Sequence, residues 1–230
     1  MSSVAALLGR LRETGDRRLA DDVVEAMVTT ETSFFRDVRP FDVLRESVIP
    51  RLLERRRSQK RLNIWSAACS SGQEPYSIAL LLKENFPELR DWIIYLLATD
   101  VSNEMIARAR SGAYSQAEAR RGLSDDLRAK WFHQEGNVWR IDERIREMVT
   151  FSQLNLAGPW PGMPRMDLVL LRNVLIYVDI PTKKSIFAKV VRTVADDGYL
   201  LLGGSETTLN LDDSFVRDES LRSGLFRLKN

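Results

Sequence analysis

The sequence contains a single cysteine, Cys69, and a single histidine, His133. One cysteine excludes an internal disulfide framework, and one histidine argues against a Cys/His metal centre, so no metal is expected. Chemistry must then rest on carboxylates, arginines, tyrosines and backbone groups. No apolar run approaches the roughly 20 residues that span a bilayer, and the opening MSSVAALLGRLRETGD has neither the apolar stretch nor the cleavage site of a secretory signal. A cytoplasmic protein without membrane insertion is expected. The charge excess is small, +2, which provides no whole-molecule field for nucleic acid. Basic residues do cluster locally, at Arg10 to Arg18 and Arg51 to Arg61. Two readings stay open for such clusters: a docking surface, or the solvated end of a helix, where Arg55, Arg56, Arg57, Lys60 and Arg61 suit the negative end of the dipole.

What remains is the composition of a folded domain. With 44% hydrophobic and 29% charged residues, a chain of 230 residues buries one sizeable core and a small accessory unit. Apolar residues at helical spacing predict two short helices over Val4 to Val28, split at Thr14-Gly15-Asp16, and a third over Phe41 to Arg57. The pattern then changes to LNIWSAA, a short apolar run that suits a buried strand. Pro75 falls in the first turn of a following helix, where it forfeits no hydrogen bond. Strands are expected at Trp92 to Thr99, Phe151 to Leu154, Met166 to Leu171 and Tyr199 to Leu202, with helices at Asn103 to Ser111 and Thr182 to Val194 between them. This alternation predicts an α/β fold with a mostly parallel, doubly wound sheet, and Asp212 to Leu228 an antiparallel hairpin at its edge. The stretch from about 115 to 148 interrupts the alternation and reads as an inserted small β-subdomain. Residues 1–60 form a helical N-terminal region and residues 61–230 the sheet domain.

In open parallel sheets ligands sit beyond the carboxyl ends of the strands, and the turn after the first strand is the usual seat of a nucleotide. Here that turn is Ser66-Ala67-Ala68-Cys69-Ser70-Ser71-Gly72-Gln73-Glu74-Pro75-Tyr76. Small side chains such as Ala68 let backbone approach a ligand, and Gly72 adopts conformations other residues resist. One glycine makes no G-x-G-x-x-G cradle, and Glu74 stands where a pyrophosphate needs positive potential. The turn therefore favours a ligand carrying cationic groups over NAD. Asp100, at the end of the second strand, can accept both hydroxyls of a ribose or cap the next helix. Asn155-Leu156 and Arg172-Asn173 follow the third and fourth main strands, so four strand ends converge on one crevice.

The phrases TETSFFRD, WSAACSSGQEPYSIAL, ATDVSNEMIARARSGAYS, FSQLNL, DLVLLRNVLIYVD and GYLLLGGSE, in this order, resemble the CheR-type chemoreceptor glutamate O-methyltransferases. The resemblance runs from about Thr29 to the C-terminus. It implies a class I methyltransferase-like sheet of seven strands that binds S-adenosylmethionine and releases S-adenosylhomocysteine. Thr30, Thr32 and Arg36 match cofactor-lining positions of the helical front, Glu74 and Asp100 the acidic positions, Asn155 and Leu156 the adenine side, and Arg172 with Asn173 the closing edge. Arg36, Arg172 and Tyr177 match the positions that face the reacting methyl group, with Arg36 or Arg172 expected to grip the acceptor carboxylate.

The partner implied is the cytoplasmic helical bundle of a chemoreceptor, methylated by a monomeric enzyme recruited to receptor arrays at the inner face of the membrane. Arg10, Arg12, Arg17 and Arg18 are candidates for that contact. The chain departs from the family in three places. Its helical front is short, Thr30 replaces a common Asn, and the His133-Gln134-Glu135-Gly136-Asn137 turn is shorter and poorer in glycine than the loop of members that bind a receptor's C-terminal pentapeptide. No pentapeptide binding is expected. Two alternatives remain at the level of sequence: a methyltransferase for another substrate, which should show a basic stripe or an Asn-Pro-Pro-Tyr phrase, and a silent cofactor sensor, which should lack Arg36 or Tyr177.

Overall fold

The computed structural model describes residues 4–15, 19, 22–23, 25–26, 31–221 and 223–229. Helix α1 (Val4–Thr14) is the first of the two expected front helices; most of the second, with Thr30, Arg17 and Arg18, lies outside the described residues. The helix expected over 41–57 begins at Arg39 and is not uniform. It consists of α2 (Arg39–Val43), a π-helical turn (Leu44–Val48) and α3 (Ile49–Arg56). Pro50 explains the interruption, since a proline cannot donate to the preceding turn and its ring clashes there, and the wider turn, in which the Ile49 amide donates to Leu44 O, absorbs it.

Strand β1 (Arg61–Ala67) leads into α4 (Gln73–Asn85), β2 (Ile93–Asp100) and α5 (Asn103–Ser111). The inserted unit follows: β3 (Ala113–Ser115), α6 (Gln116–Arg120), α7 (Asp125–Trp131), β4 (Phe132–Glu135), β5 (Val138–Ile141) and α8 (Glu143–Arg146). The main sheet resumes with β6 (Val149–Gln153), β7 (Met166–Leu171), α9 (Ile180–Thr193), β8 (Val194–Leu202), β9 (Phe215–Arg217) and β10 (Leu225–Leu228). Its order is β6-β2-β1-β7-β8-β10-β9, parallel except that β10 runs antiparallel to β8 and β9. The expected doubly wound sheet with an antiparallel edge hairpin is therefore the observed one.

The continuous apolar strands follow from burial on both faces. Along β7 and β8, Leu168, Leu170, Tyr199 and Leu201 point into one core with α4, while Val169, Leu171, Leu200 and Leu202 point into a second with Ile186, Phe187 and Val190 of α9. Chain direction away from β1 reverses between β1 and β7, and this switch point opens a crevice at the carboxyl ends of the strands.

Two further features adjust the expectations from sequence. The β3-β5-β4 sheet is not an appendage. Its Tyr114 and Phe132 stack edge to face on Phe34, with ring centroids 5.0 and 5.5 Å away, inside the main core. Nor is the Arg55 to Arg57 cluster simply a solvated helix end. Arg56 is largely buried and pairs with Asp167 (2.7 Å) on β7 and with Asp197 on β8, and Arg55 donates to Asp197 O (2.8 Å). These contacts latch α3 to the amino-terminal edge of the sheet, opposite the crevice.

Candidate active site

The crevice holds a cavity of about 610 Å³, within the range of small-molecule sites. Its floor is the turn after β1, whose backbone is unusual: Ala68 (φ 61°), Ser70 (φ 49°) and Gly72 (φ 93°) all lie in the left-handed region. Such a turn persists only if its surroundings fix it. The Cys69 amide donates to Thr99 O (2.8 Å), the Ser70 amide to Asp100 Oδ2 (2.7 Å), and the Tyr114 hydroxyl to Ser71 O (2.8 Å). Asp100 thus serves two roles. One oxygen accepts from Ser70 and the other from the Ser102 amide (3.0 Å), while Ser102 itself caps α5 through the Met105 amide. Burial raises the Asp100 carboxyl above the usual carboxylate range, and the backbone amides oppose that rise.

Gly72, also expected as a cofactor contact, is not among the residues lining this cavity. It caps α4, and a Cβ there would lie 2.9 Å from the Ala109 Cβ, so its role is to let the turn pack on α5. Cys69 faces the cavity but is buried, which pushes its thiol pKa well up and makes it a poor nucleophile.

A buried ion-pair chain crosses the site. Arg172, whose side chain is 2% exposed, donates to Glu74 Oε2 (2.9 Å), Asp37 Oδ2 (2.8 Å) and Arg36 O (3.0 Å), and lies over the Phe41 ring (5.6 Å). Glu74 also accepts from Ser66 Oγ (2.8 Å). Arg172 therefore ties the segment before the sheet to the floor, and both terminal nitrogens are engaged. The tied segment is itself strained: Phe35, Asp37 and Val38 have φ of 46°, 69° and 47°. Buried Phe34 and a bond from the Phe35 amide to Ser77 Oγ (2.8 Å) hold it. Arg36 is left on the wall, donating to Glu31 O (2.8 Å), and Tyr177, 64% exposed, stands at the mouth.

The opposite wall is apolar, with Leu154, Leu156, Val174, Val178 and Ile186 beside Asn155 and Asn173. Lys189 fixes its upper turn, donating to Leu156 O (2.6 Å) and Gly158 O (2.8 Å) while lying over the Trp160 ring. Among the expected site residues, Thr32, Arg36, Ala68, Glu74, Asp100, Asn155, Leu156, Arg172, Asn173 and Tyr177 line this one cavity. Sequence reasoning missed Glu31 and Ser70 on the wall, and Glu206, which accepts the amides of the loop after β7. Glu31 lies inside TETSFFRD and could have been found there. Ser70 could not, because nothing in its identity signals a left-handed backbone. Among the described residues no cluster of His, Cys, Asp and Glu is arranged to hold a metal ion, and no helix is long and apolar enough to cross a membrane.

Comparison with known proteins bears on what fills such a cavity. The family model described as "CheR methyltransferase, SAM binding domain" matches residues 30–221. The chain is 37% identical to Chemotaxis protein methyltransferase 1 of Pseudomonas aeruginosa, covering all of this chain and 84% of that protein. It is 37% identical to Chemotaxis protein methyltransferase Cher2 of Pseudomonas putida (94% and 79% covered) and 35% identical to the Chemotaxis protein methyltransferase of Listeria monocytogenes (86% and 73%). Among solved structures, the glycopeptide N-methyltransferase MtfA complexed with sinefungin aligns with a TM-score of 0.46 at 13% identity, covering 74% of this chain and 54% of that one. The fold assignment accordingly rests on the strand order.

The donor set of the cavity fits S-adenosylmethionine. Two carboxylates, Glu74 and Asp100, suit a ligand with an ammonium group and ribose hydroxyls, and the apolar wall suits an adenine ring. Among the described residues the buried Arg172 Nε has no hydrogen-bond partner. The chain belongs to the CheR methyltransferase family and is an S-adenosylmethionine-dependent methyltransferase.

Proposed function

We propose that the protein methylates glutamate side chains of chemoreceptors, forming methyl esters in sensory adaptation. The observation that carries this reading is the meeting of Glu74, Asp100, Asn155, Arg172 and Asn173 from four strand ends with Arg36 and Tyr177 on one cavity, in a chain whose relatives are named chemotaxis protein methyltransferases. In this reading Asp100 holds the ribose, Glu74 the amino-acid end, Asn155 and Leu156 the adenine, and Thr30, Thr32, Ala68 and Asn173 complete the cofactor contacts. The bound cofactor supplies an activated methyl group on a sulfonium.

The acceptor needs little acid–base help. A glutamate carboxylate, with a reference pKa of about 4.3, is already ionised at neutral pH and requires no general base. Attack on the methyl carbon cancels opposite charges, so the protein contributes alignment and exclusion of water, and positioning alone supplies up to roughly 7–11 kcal/mol in favourable systems. An arginine that holds the acceptor must be free to do so. Arg172 has both terminal nitrogens engaged by Glu74, Asp37 and Arg36 O, which favours Arg36 for the acceptor oxygen that does not attack. Tyr177 flanks the methyl's path at the mouth.

The acceptor is assigned to the cytoplasmic helical bundle of a chemoreceptor, reached by a monomeric, cytoplasmic enzyme at receptor arrays on the inner face of the membrane. Residues 1–60 are assigned as the helical front and 61–230 as the methyltransferase domain with its insertion. The test is incubation with labelled S-adenosylmethionine and receptor-containing membranes, followed by release of base-labile methyl ester; cofactor binding without label over a range of receptors would defeat the reading. Receptor tethering through a C-terminal pentapeptide is not part of it. The β4–β5 connection is a tight turn at Gly136-Asn137, with Glu135 paired to Val138, and it offers no long glycine-rich loop. Calorimetric titration with such a peptide should give no heat of binding, and micromolar affinity would overturn this assignment.

A further inference from the structure

The loop that leaves β7 carries Arg172 and Asn173 on the cavity wall and ends at Tyr177 at the mouth. It is held from beneath by one side chain. Glu206 Oε2 accepts the Asn173 amide (2.8 Å) and the Gly203 amide (2.8 Å), and Oε1 accepts the amides of Val174 (2.9 Å) and Leu175 (2.7 Å). Three successive amides converge because Asn173 is left-handed (φ 57°) while Val174 is not (φ −121°, ψ −37°). Successive N–H groups in such a conformation form a concavity suited to an anion, and here the anion is supplied by the chain.

Strand register places it there. Leu171 of β7 pairs with Leu202 of β8, so a residue four beyond Leu202 comes beside the segment just past Leu171. The turn from Gly203 O to the Glu206 amide (3.0 Å) brings the carboxylate back under the loop. Gly203 leaves the room, since a Cβ there would meet Glu206 Oε2 at 2.7 Å and the Asn173 amide at 2.9 Å. A short 3-10 turn, Leu175–Tyr177, begins at the last of the held amides.

We propose that Glu206 is a positioning residue for methyl transfer: its carboxylate fixes the left-handed turn at Asn173 and through it sets Tyr177 at the cavity mouth. Glu206 itself is not among the residues lining the cavity. The proposal rests on reading the cavity as a methyl-transfer site, whereas the cradle of amides around Glu206 is independent of that reading.

The test uses the full chain with Glu206→Gln, which presents an amide N–H₂ to backbone N–H donors and leaves part of the cradle unmatched. Three readouts apply. Amide hydrogen exchange at Asn173, Val174 and Leu175 should accelerate while β7 and β8 stay protected. Turnover, counted per molecule that binds S-adenosylhomocysteine, should fall by about tenfold to a hundredfold, the scale of a misplaced reacting group. In a Tyr177→Phe background the same change should cost much less, because both act through one side chain.

Unchanged exchange at the three amides, or full turnover per binding-competent molecule, would overturn the proposal, as would rate losses that simply multiply. A merely structural role would lower the binding-competent fraction and leave turnover per bound molecule at the wild-type value. If Glu206→Gln fails to fold, Glu206→Asp keeps the charge but withdraws it by one methylene, and the same three readouts decide. Should the wild-type protein form no methyl ester on any receptor, the glutamate reading fails, while the exchange measurement still decides whether Glu206 holds the loop.

Discussion

A buried guanidinium with a carboxylate on either side acts as a joint, and Arg172 makes one between Glu74 on the floor and Asp37 on the strained segment. Arg36 immediately precedes Asp37, and its own carbonyl accepts from Arg172, so its place on the wall is tied to that joint. The two arginines should therefore fail differently. Arg172→Ala leaves Glu74 without its cationic partner in a largely buried setting, and a cost of about 3–5 kcal/mol is expected, visible as a lower unfolding midpoint together with weaker cofactor binding. Arg36→Ala should leave the unfolding midpoint and the cofactor affinity close to wild type while the transfer rate falls by roughly tenfold or more. Equal losses of stability in the two variants would refute this division of labour. Arg172 was legible in the sequence from its place after the fourth main strand, and Arg36 only through the resemblance carried by TETSFFRD. Their division was not, since it depends on which carboxylates the fold brings within 3 Å of Arg172.

At the scale of elements, the turn after β1 works because α5 and the inserted unit press on it from one side. Gly72→Ala would place a methyl group 2.9 Å from the Ala109 Cβ in a left-handed backbone, and a loss of about 1–3 kcal/mol is expected, with cofactor affinity falling alongside because Ala68, Ser70 and Asp100 move with the turn. Retained affinity in a destabilised variant would detach the turn from the cofactor site. Sequence identified this glycine and its left-handed backbone but not its packing on Ala109, since periodicity and composition carry no information about which helix packs against a loop. The same limit applies to the inserted unit, whose interruption of the alternation was plain while its stacking on Phe34 was not.

The inserted unit has an electrostatic anchor of its own. Asp142 caps α8, bonds Arg144 through Nε (2.8 Å) and through the backbone amide (2.9 Å), and sits 3.3 Å from His133 Nε2; these contacts, led by Arg144, hold its carboxyl far below the usual range. A depressed pKa in the folded state adds stability that is complete above the ordinary carboxylate pKa, about 3.9, and fades as pH falls below it. Asp142→Ala should consequently lower the unfolding midpoint at pH 7 and pH 5 by the equivalent of about 1 kcal/mol or more, and the gap should close only in stronger acid. A gap constant down to pH 2 would show that the carboxylate charge is not its source.

For the whole molecule, the two edges of the sheet divide the work. At the amino-terminal edge Arg56, Asp167 and Asp197 satisfy one another and tie α3 to β7 and β8. At the carboxyl edge the strand ends leave donors and acceptors around a cavity, and a strained segment, a strained turn and a carboxylate-held loop surround it. Fold class and the strand-end cavity residues Glu74, Asp100, Asn155 and Arg172 could be read from sequence because parallel strands place their terminal residues at one edge whatever the loops do, whereas Thr32, Arg36 and Tyr177 came through the family resemblance. The strain at Ala68, Ser70 and Val38 could not, because nothing in the identity of these residues signals a left-handed backbone. The central claim, transfer of a methyl group to receptor glutamates, is tested most directly by peptide mass mapping of a chemoreceptor after reaction with S-adenosylmethionine. Glutamates of the cytoplasmic bundle should gain one methylene each, removed by mild base and greatly reduced with Arg36→Ala. Methylation confined to another residue type, or no gain from a protein that binds the cofactor, would contradict it.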